Sequence, residues 1–552
     1  MRERARAESN GRIGRSSGVT SEPRAFLTQD TGAATIAIAL IGLVGGRWRL
    51  IGSLALPAGA DPSAVAALLV ARAAAADPDM ATTLGLDRIP VDELPRVDVA
   101  SHPAPRLAVV AGSERALVPL VAAASRSGWR TSSASAETAD PLAMSTLLLD
   151  VGVDGVLAGA GDPPTADERR AMGELGALVA AAAHRRPEMP VVLAGGMGGQ
   201  LHAFGEVANR PGRILIGSAT RPGRLGSDLC DLLIDLALPA DDSRRALGAA
   251  AVALAEVLDR RIDVVEIGFD GGTRAGAWPG AWSGAPGLDL AIVPSAGLAP
   301  ADPDDPVVDR VATWSTWTSD RHRLRDRMRE LRIAPWADMP GDGVPLRLAA
   351  ARAALSCLAR WTPDWVDRPA ADLVVATGGA WAVASASSAV LALVDVLRRT
   401  GATQFALDHA RLLAPFGSIP DPGERRAILA DLADDLLAPL GTVVTPGGLR
   451  HARNVGALQL HGPNGGHEEE LHSGGLQLFP LQPGSTAVAE FRFHDTVRLG
   501  GRGRHFAIDV TGGLGGLVVD LRDVPLRLPE RAELRSELLE AWQSAVSTGS
   551  EA

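Results

Sequence analysis

The chain has 552 residues, a formal net charge of −11, 46% hydrophobic and 22% charged side chains. This length and balance predict about three domains with apolar cores, and the acidic charge argues against bulk nucleic-acid binding. The sequence contains no lysine and no tyrosine, so the whole Lys+Arg count of 54 is arginine. That excludes a Walker-A lysine, a pyridoxal Schiff base and the strand lysine of protein kinases. A phosphate site in this chain must use backbone amides, arginine and metal.

Residues 1–25 are rich in Arg, Ser and Gly and lack an apolar h-region. They predict a disordered tail and no cleaved signal peptide. The longest apolar run, 33–44, is too short to span a bilayer, so no membrane partner is expected. Cys230 and Cys357 are isolated and imply neither a disulfide framework nor a paired-cysteine metal site. A cytoplasmic location follows as the expectation.

A first α/β lobe is expected over 26–244. It opens with a hairpin of 34–44 and 48–56 around Gly45-Gly46, followed by an alanine-rich helix at 63–75. From about 105, short apolar strands (107–110, 147–149, 155–157, 191–193, 214–216) alternate with helices (116–125, 167–184, 227–236). This alternation predicts a parallel sheet covered on both faces. A second lobe is expected over 245–440, with strands 262–267, 288–292, 372–376 and 404–407 between helices. From Gly441 the helical signal fades into short Val/Leu/Phe strands between glycine turns. With the turn Thr445-Pro446-Gly447-Gly448, this predicts a separable β-rich domain over 441–552, closed by a helix at 530–545.

Three turns follow or precede apolar strands and carry most of the chemistry. The first is Asp30-Thr31-Gly32-Ala33-Ala34-Thr35. The second is Glu266-Ile267-Gly268-Phe269-Asp270-Gly271-Gly272-Thr273, and the third is Thr377-Gly378-Gly379. Glycine lets a backbone approach a phosphate closely, and outward amides cradle it. A carboxylate on such a turn can hold Mg²⁺ through water. Two acid-plus-glycine turns and then a Gly-Gly turn resemble the order in which actin/Hsp70-type ATPases meet their nucleotide. On that resemblance ATP would contact Asp30, Thr31, Gly32, Thr35, Gly268, Asp270, Gly271, Gly272 and Thr273. Gly378 and Gly379 would lie on the adenosine side, and Asp30 and Asp270 would hold Mg²⁺.

Two further clusters stand out. The arginine-rich run 320–332 reads either as a solvated helix laced with Asp/Arg pairs or as an arginine face for phosphate or a partner. His461, His467 and His472 flank Glu468-Glu469-Glu470, but their spacing matches no known metal-ligand set, and a surface loop is expected.

The chain also resembles the MutL/GlmL family associated with glutamate mutase, which is distinct from the mismatch-repair proteins of similar name. That family's early Asp-x-Gly-Ser-x-x-Thr motif is similar to Asp30-Thr31-Gly32-Ala33-Ala34-Thr35. Val153-Asp154-Gly155-Val156-Leu157-Ala158-Gly159-Ala160-Gly161-Asp162 echoes another segment, and Pro190-Val191-Val192-Leu193-Ala194-Gly195-Gly196 a third. The strongest likeness is Asp372-Leu373-Val374-Val375-Ala376-Thr377-Gly378-Gly379. Gly401-Ala402-Thr403-Gln404-Phe405-Ala406-Leu407-Asp408 and Leu413-Ala414-Pro415-Phe416-Gly417 follow it. Coverage runs over about 26–440.

The resemblance implies a two-lobed actin/Hsp70-like (ribonuclease H-like) ATPase fold plus the small β-rich domain. It also implies ATP and Mg²⁺ as cofactors, and an adenosylcobalamin-dependent carbon-skeleton mutase as partner. The chain has no Asp-x-His-x-x-Gly cobalamin motif, so it is not expected to be the mutase itself. Two departures bear on catalysis. Ala33 replaces a serine, and the family's Asp-Ile-Gly-Gly-Ala-Thr-Thr-Asp becomes Glu266-Ile267-Gly268-Phe269-Asp270-Gly271-Gly272-Thr273, so either Glu266 or Asp270 stands for the second acid. Slow hydrolysis at most is the expectation. The alternative is a catalytically silent scaffold of the same fold. A small-molecule kinase would need an aspartate base beside a substrate cleft, and none is identifiable.

Overall fold

The computed structural model describes residues 24–200, 202, 214–218, 228–282, 284–299, 305–318, 320–334, 343–360, 371–381, 385–450, 454–462 and 465–550. The expected tail lies outside them up to residue 23.

Two sheets start from the same three-strand meander. In the first, β1 (Ala25–Thr31), β2 (Thr35–Val44) and β3 (Arg47–Pro57) are antiparallel neighbours, and β4 (Arg96–Ala100) runs parallel to β1. Helix Pro62–Ala76 covers it; its start is set by Asp61, whose side chain accepts from the Ser63 amide, and by Pro62 in the first turn.

An inserted sheet then departs from the first lobe. Its five parallel strands are β5 (Arg106–Ala111), β6 (Arg130–Ser135), β7 (Gly155–Ala160), β8 (Val191–Gly195) and β9 (Ile214–Gly217), in the order β6-β5-β7-β8-β9. Residues 147–149, expected as a strand, end helix Pro141–Leu149 instead. Asp140 accepts from the Ala143 amide and Pro141 presets the first turn, so the local capping overrides the short apolar run. Helix Ala166–Arg185 has a full capping box between Thr165 and Glu168.

The second lobe repeats the meander as β10 (Ile262–Ile267), β11 (Gly272–Trp278) and β12 (Gly287–Val293). Strands β13 (Leu373–Thr377) and β14 (Gly401–Asp408) follow parallel to β10. The sheet does not stop there. β15 (Leu437–Thr445) pairs antiparallel with β14, β21 (Leu517–Asp520) parallel with β15, and β18 (Leu476–Phe479) antiparallel with β21. The expected boundary at 440/441 therefore falls inside β15. The remaining strands, β16 (Gly456–Gly462), β17 (Gly465–Leu471), β19 (Thr486–Leu499) and β20 (Gly501–Thr511), form a second sheet. It packs on this extension through Leu458, Phe491 and Phe493 against Val444, Phe479, Leu517 and Val519. The terminal helix Ala532–Ser550 places Leu539, Trp542 and Val546 in the core of the second lobe. His461 and His467 sit on the β16–β17 hairpin, not in a loop, beside Glu490 and Glu469, and no cluster of three metal-ligating side chains occurs among the described residues.

The two lobes share one core. Phe26, Ala39, Ile41 and Val97 of the first pack with Leu247, Leu254, Phe416 and Leu429 of the second. At the β3 edge, the Trp48 and Leu50 amides donate to Asp431 (3.1 Å) and Asp435 (3.2 Å) on helix Pro422–Leu436. These acids satisfy an edge strand that would otherwise expose its amides. The inserted sheet is also tied down: Gly128 donates to Ile292 of β12 at 2.9 Å, and Arg126 pairs with Asp289 at 2.8 Å.

Candidate functional site

Strand register settles which second-lobe residue corresponds to Asp30. In the first lobe Asp30 pairs with Ala37 and Thr31 with Ile36; in the second, Glu266 pairs with Thr273 and Ile267 with Gly272. Each hairpin closes the same way, Gly32 N–H donating to Thr35 O (2.8 Å) and Gly268 N–H to Gly271 O (2.9 Å). Glu266 is thus the equivalent of Asp30, and Asp270 lies on the turn itself, at the position that Ala34 takes in the first hairpin.

Both hairpins face one cleft between the lobes. It is lined by Asp30, Gly32 and Thr35, by Glu266, Gly268, Asp270 and Gly271, and by Gly378 and Gly379 after β13. Gly272 and Thr273 begin β11 behind the second turn, and Thr31 ends β1 behind the first. Of these, Gly378 is required by geometry: its φ is +99°, and a Cβ there would lie 2.5 Å from Ile267 O. Gly268 makes room for Glu266, whose Oε1 would meet an added Cβ at 2.7 Å. The amides of Ala33, Ala34, Phe269 and Asp270 donate to no acceptor among the described residues.

Two arginines that sequence reasoning passed over, Arg411 and Arg244, and one from the arginine-rich run, Arg332, complete the site. Arg411, between β14 and the short helix Leu413–Gly417, reaches back to the first turn. Its Nη1 donates to Thr35 Oγ1 (2.6 Å), its Nη2 to Asp30 O (2.8 Å), and its Nε lies 3.2 Å from Asp30 Oδ2. Its backbone is left-handed, φ +53°, which is uncommon outside glycine. Buried Asp408 holds that corner by accepting from the Leu412 and Leu413 amides and the Thr377 hydroxyl. Arg332, the last arginine of helix Arg321–Ile333, pairs with Asp270 and donates to Ala299 O at 3.1 Å. The rest of that helix reads as the solvated alternative, with Arg327–Glu330 and Arg329–Asp326 pairs on its surface and Leu324, Met328 and Leu331 buried. Arg244 lines the cleft and is held by Asp242 through contacts of 2.8 Å and 3.1 Å. The only sequence signal for Arg411 was its place between Asp408 and the Leu-Leu-Ala-Pro segment.

Every acid of the cleft is therefore compensated or neutralised. Burial raises the Asp30 pKa against the pull of Arg411. Burial pushes Glu266 up to about 7, opposed by the Arg244 guanidinium, and its Oε2 has no hydrogen-bond partner among the described residues. Mg²⁺ demands octahedral oxygen ligation with one or two carboxylates free to contribute. With Asp30 on Arg411 and Asp270 on Arg332, the donor set does not fit a hard divalent cation. The free space in the cleft is about 40 Å³, enough for a few waters.

The Glu266 proton should be visible in stability. An ordinary glutamate titrates near 4.5, and Glu266 in the folded chain near 7, so between these values the folded state holds a proton that the unfolded chain has released. The contribution is full below about 4.5 and is lost as pH rises to about 7. Glu266→Gln should therefore melt above the parent at about pH 8, with the gap shrinking at about pH 5. An equal gap at both pH values would mean that Glu266 does not carry this proton.

The repeated meander, each with a parallel strand beside its first, and the cleft between the two hairpin turns define a two-lobed actin/Hsp70-like (ribonuclease H-like) α/β fold. Neither the family models nor the curated proteins compared with this chain match it. Among solved structures, it is similar to an Aquifex aeolicus Ppx/GppA phosphatase at 8% identity, over 74% of this chain and 88% of that one, TM-score 0.18. A reductive activator for a corrinoid, iron–sulfur protein is 14% identical over 75% and 64% of the two chains, TM-score 0.22. A xylulose kinase from Lactobacillus acidophilus is 9% identical over 73% and 92%, TM-score 0.28. At these TM-scores the superpositions carry no argument; strand order and cleft do. No helix among the described residues is long and apolar enough to cross a membrane.

Proposed function

We propose that this chain binds a nucleotide in the inter-lobe cleft and acts on a partner protein through the bound state, with little hydrolysis of its own. The observation that supports it is the convergence of two register-equivalent acid-x-glycine hairpins and the Gly378-Gly379 turn on one cleft. The unpaired amides of both hairpins would donate to phosphate oxygens, and Gly378 and Gly379 would border the adenosine side. Hydrolysis needs groups preorganised around the γ-phosphate and the attacking water. Here Glu266 is a longer, buried acid whose pKa burial pushes up to about 7, and Asp270 is committed to Arg332. An adenosylcobalamin-dependent carbon-skeleton mutase such as glutamate mutase is the partner suggested by the MutL/GlmL-like motif order; a reactivating chaperone role would follow from it. The silent-scaffold reading has its own support in the small free space of the cleft and in the core shared by the lobes.

Thermal melting with ATP or ADP separates the two. A ligand at about 100 times its Kd adds about 2.7 kcal/mol to the folded state and should raise the melting temperature. No shift at millimolar nucleotide would favour the scaffold. Steady phosphate release at several turnovers per second, without a partner, would overturn the assignment of a binder.

A further inference from the structure

Resting on the nucleotide reading, we infer that this cleft takes the phosphate chain of its ligand without a divalent cation, with arginine in the metal's place. Arg411 occupies the position beside Asp30 from which a cation would be held, and Arg332 occupies both oxygens of Asp270. A dication entering the cleft would have to displace a guanidinium from each carboxylate and then sit among fixed positive charges. A phosphate oxygen meets no such obstacle. It can accept from the guanidinium edge, which carries five donors, and from the amides of the two turns.

The placement of Arg411 is built rather than incidental. Its left-handed backbone is held by Asp408, which ties the Leu412 and Leu413 amides to the Thr377 hydroxyl, one residue before Gly378. A strained, over-determined corner that delivers one side chain into a cleft marks a positioning device. Arg244, fixed by Asp242 on the cleft wall, adds a second guanidinium for the same anion. In a chain without lysine, arginine is the remaining side chain that carries a permanent positive charge. The ligand class is a di- or triphosphate chain, carried by a nucleotide or free.

The test is calorimetry on the full chain with ADP, ATP and inorganic tripolyphosphate, each in EDTA and in excess Mg²⁺. Affinity in EDTA should equal or exceed that in Mg²⁺, since the metal complex presents less negative charge. Binding of ADP and ATP but not tripolyphosphate identifies a nucleotide; equal binding of all three identifies the phosphate chain alone. Arg411→Gln should lose about tenfold or more in both buffers, the size of one charge-assisted contact. Arg411→Lys, which keeps the charge but not the fork, serves if the glutamine variant fails to fold and should lose affinity in both buffers as well. Mn²⁺ alone should keep its free EPR signal in the presence of the parent chain, and should bind once Arg411→Ala and Arg332→Ala together release Asp30 and Asp270. Tight Mn²⁺ binding by the parent, or a tenfold loss of nucleotide affinity in EDTA, would overturn this inference while leaving the nucleotide reading intact. Absence of binding by all three ligands in both buffers would overturn both.

Discussion

A chain ending at Leu440 should be insoluble or should melt without a cooperative transition. Such a truncation cuts β15 after its fourth residue and removes β21 and β18, three strands of the second lobe's eight-stranded sheet. It also strips Val443, Leu476, Val518, Leu539, Trp542 and Val546 from that lobe's core. Each buried aliphatic or aromatic side chain lost from a core costs about 2–5 kcal/mol, and a domain's whole margin is about 5–15 kcal/mol. The exposed β14 edge would in addition invite pairing between chains. Expression of the 1–440 chain, followed by calorimetric melting, checks this. A soluble product with a sharp transition would show that the first two lobes are complete without the extension.

Asp395→Ala should be the most damaging single substitution away from the cleft. Asp395, on helix Ala386–Leu397, accepts from Arg352 Nε at 2.5 Å and from Arg522 Nη1 at 2.6 Å, and all three side chains are buried. Asp520 takes Arg522 Nε at 2.9 Å and Arg398 Nη2 at 3.1 Å. The Arg522 guanidinium also lies 4.4 Å from the Trp542 ring centre. Three arginines thus share two aspartates, and the network bolts the segment after β21 and the terminal helix to the second lobe. Removing one acid leaves excess buried positive charge, a loss of about 3–5 kcal/mol. Urea unfolding of the parent, Asp395→Ala and Asp395→Asn measures it, the amide recovering shape but not charge. A loss below about 1 kcal/mol would mean that water reaches and screens the network.

The shared core has a consequence for how a bound nucleotide could act. Phe26 and Phe416 meet edge to face with centroids 6.5 Å apart, and Trp48 and Leu50 are tied to Asp431 and Asp435. The inserted sheet, which leaves the first lobe after β4, is fastened to β12 of the second. A wide hinge opening of the lobes would break these contacts together. Ligand effects are therefore expected near Arg411, the two hairpin turns and helix Arg321–Ile333, whose last arginine touches the second turn. Hydrogen exchange with and without ADP would locate them.

The sequence by itself determined the local parts. Glycines between apolar strands marked the three turns, because only glycine suits close backbone approach and positive φ, as at Gly378. Alternating apolar strands and capped helices marked both α/β lobes, because periodicity and capping are encoded within a few residues. The family-like motifs set the expectation of an actin-type arrangement. Tertiary structure alone decided the rest. Glu266, not Asp270, matches Asp30 because register, and not spacing along the chain, defines equivalence across two hairpins. Arg411 meets Asp30 across 381 residues, and Arg332 meets Asp270 across 62, and no local pattern reports which charges fold together. The expected boundary at 440/441 falls inside β15 for a related reason. A strand that extends an existing sheet and a strand that starts a new one have the same composition, and only hydrogen-bond partners, here β14 and β21 for β15, tell them apart.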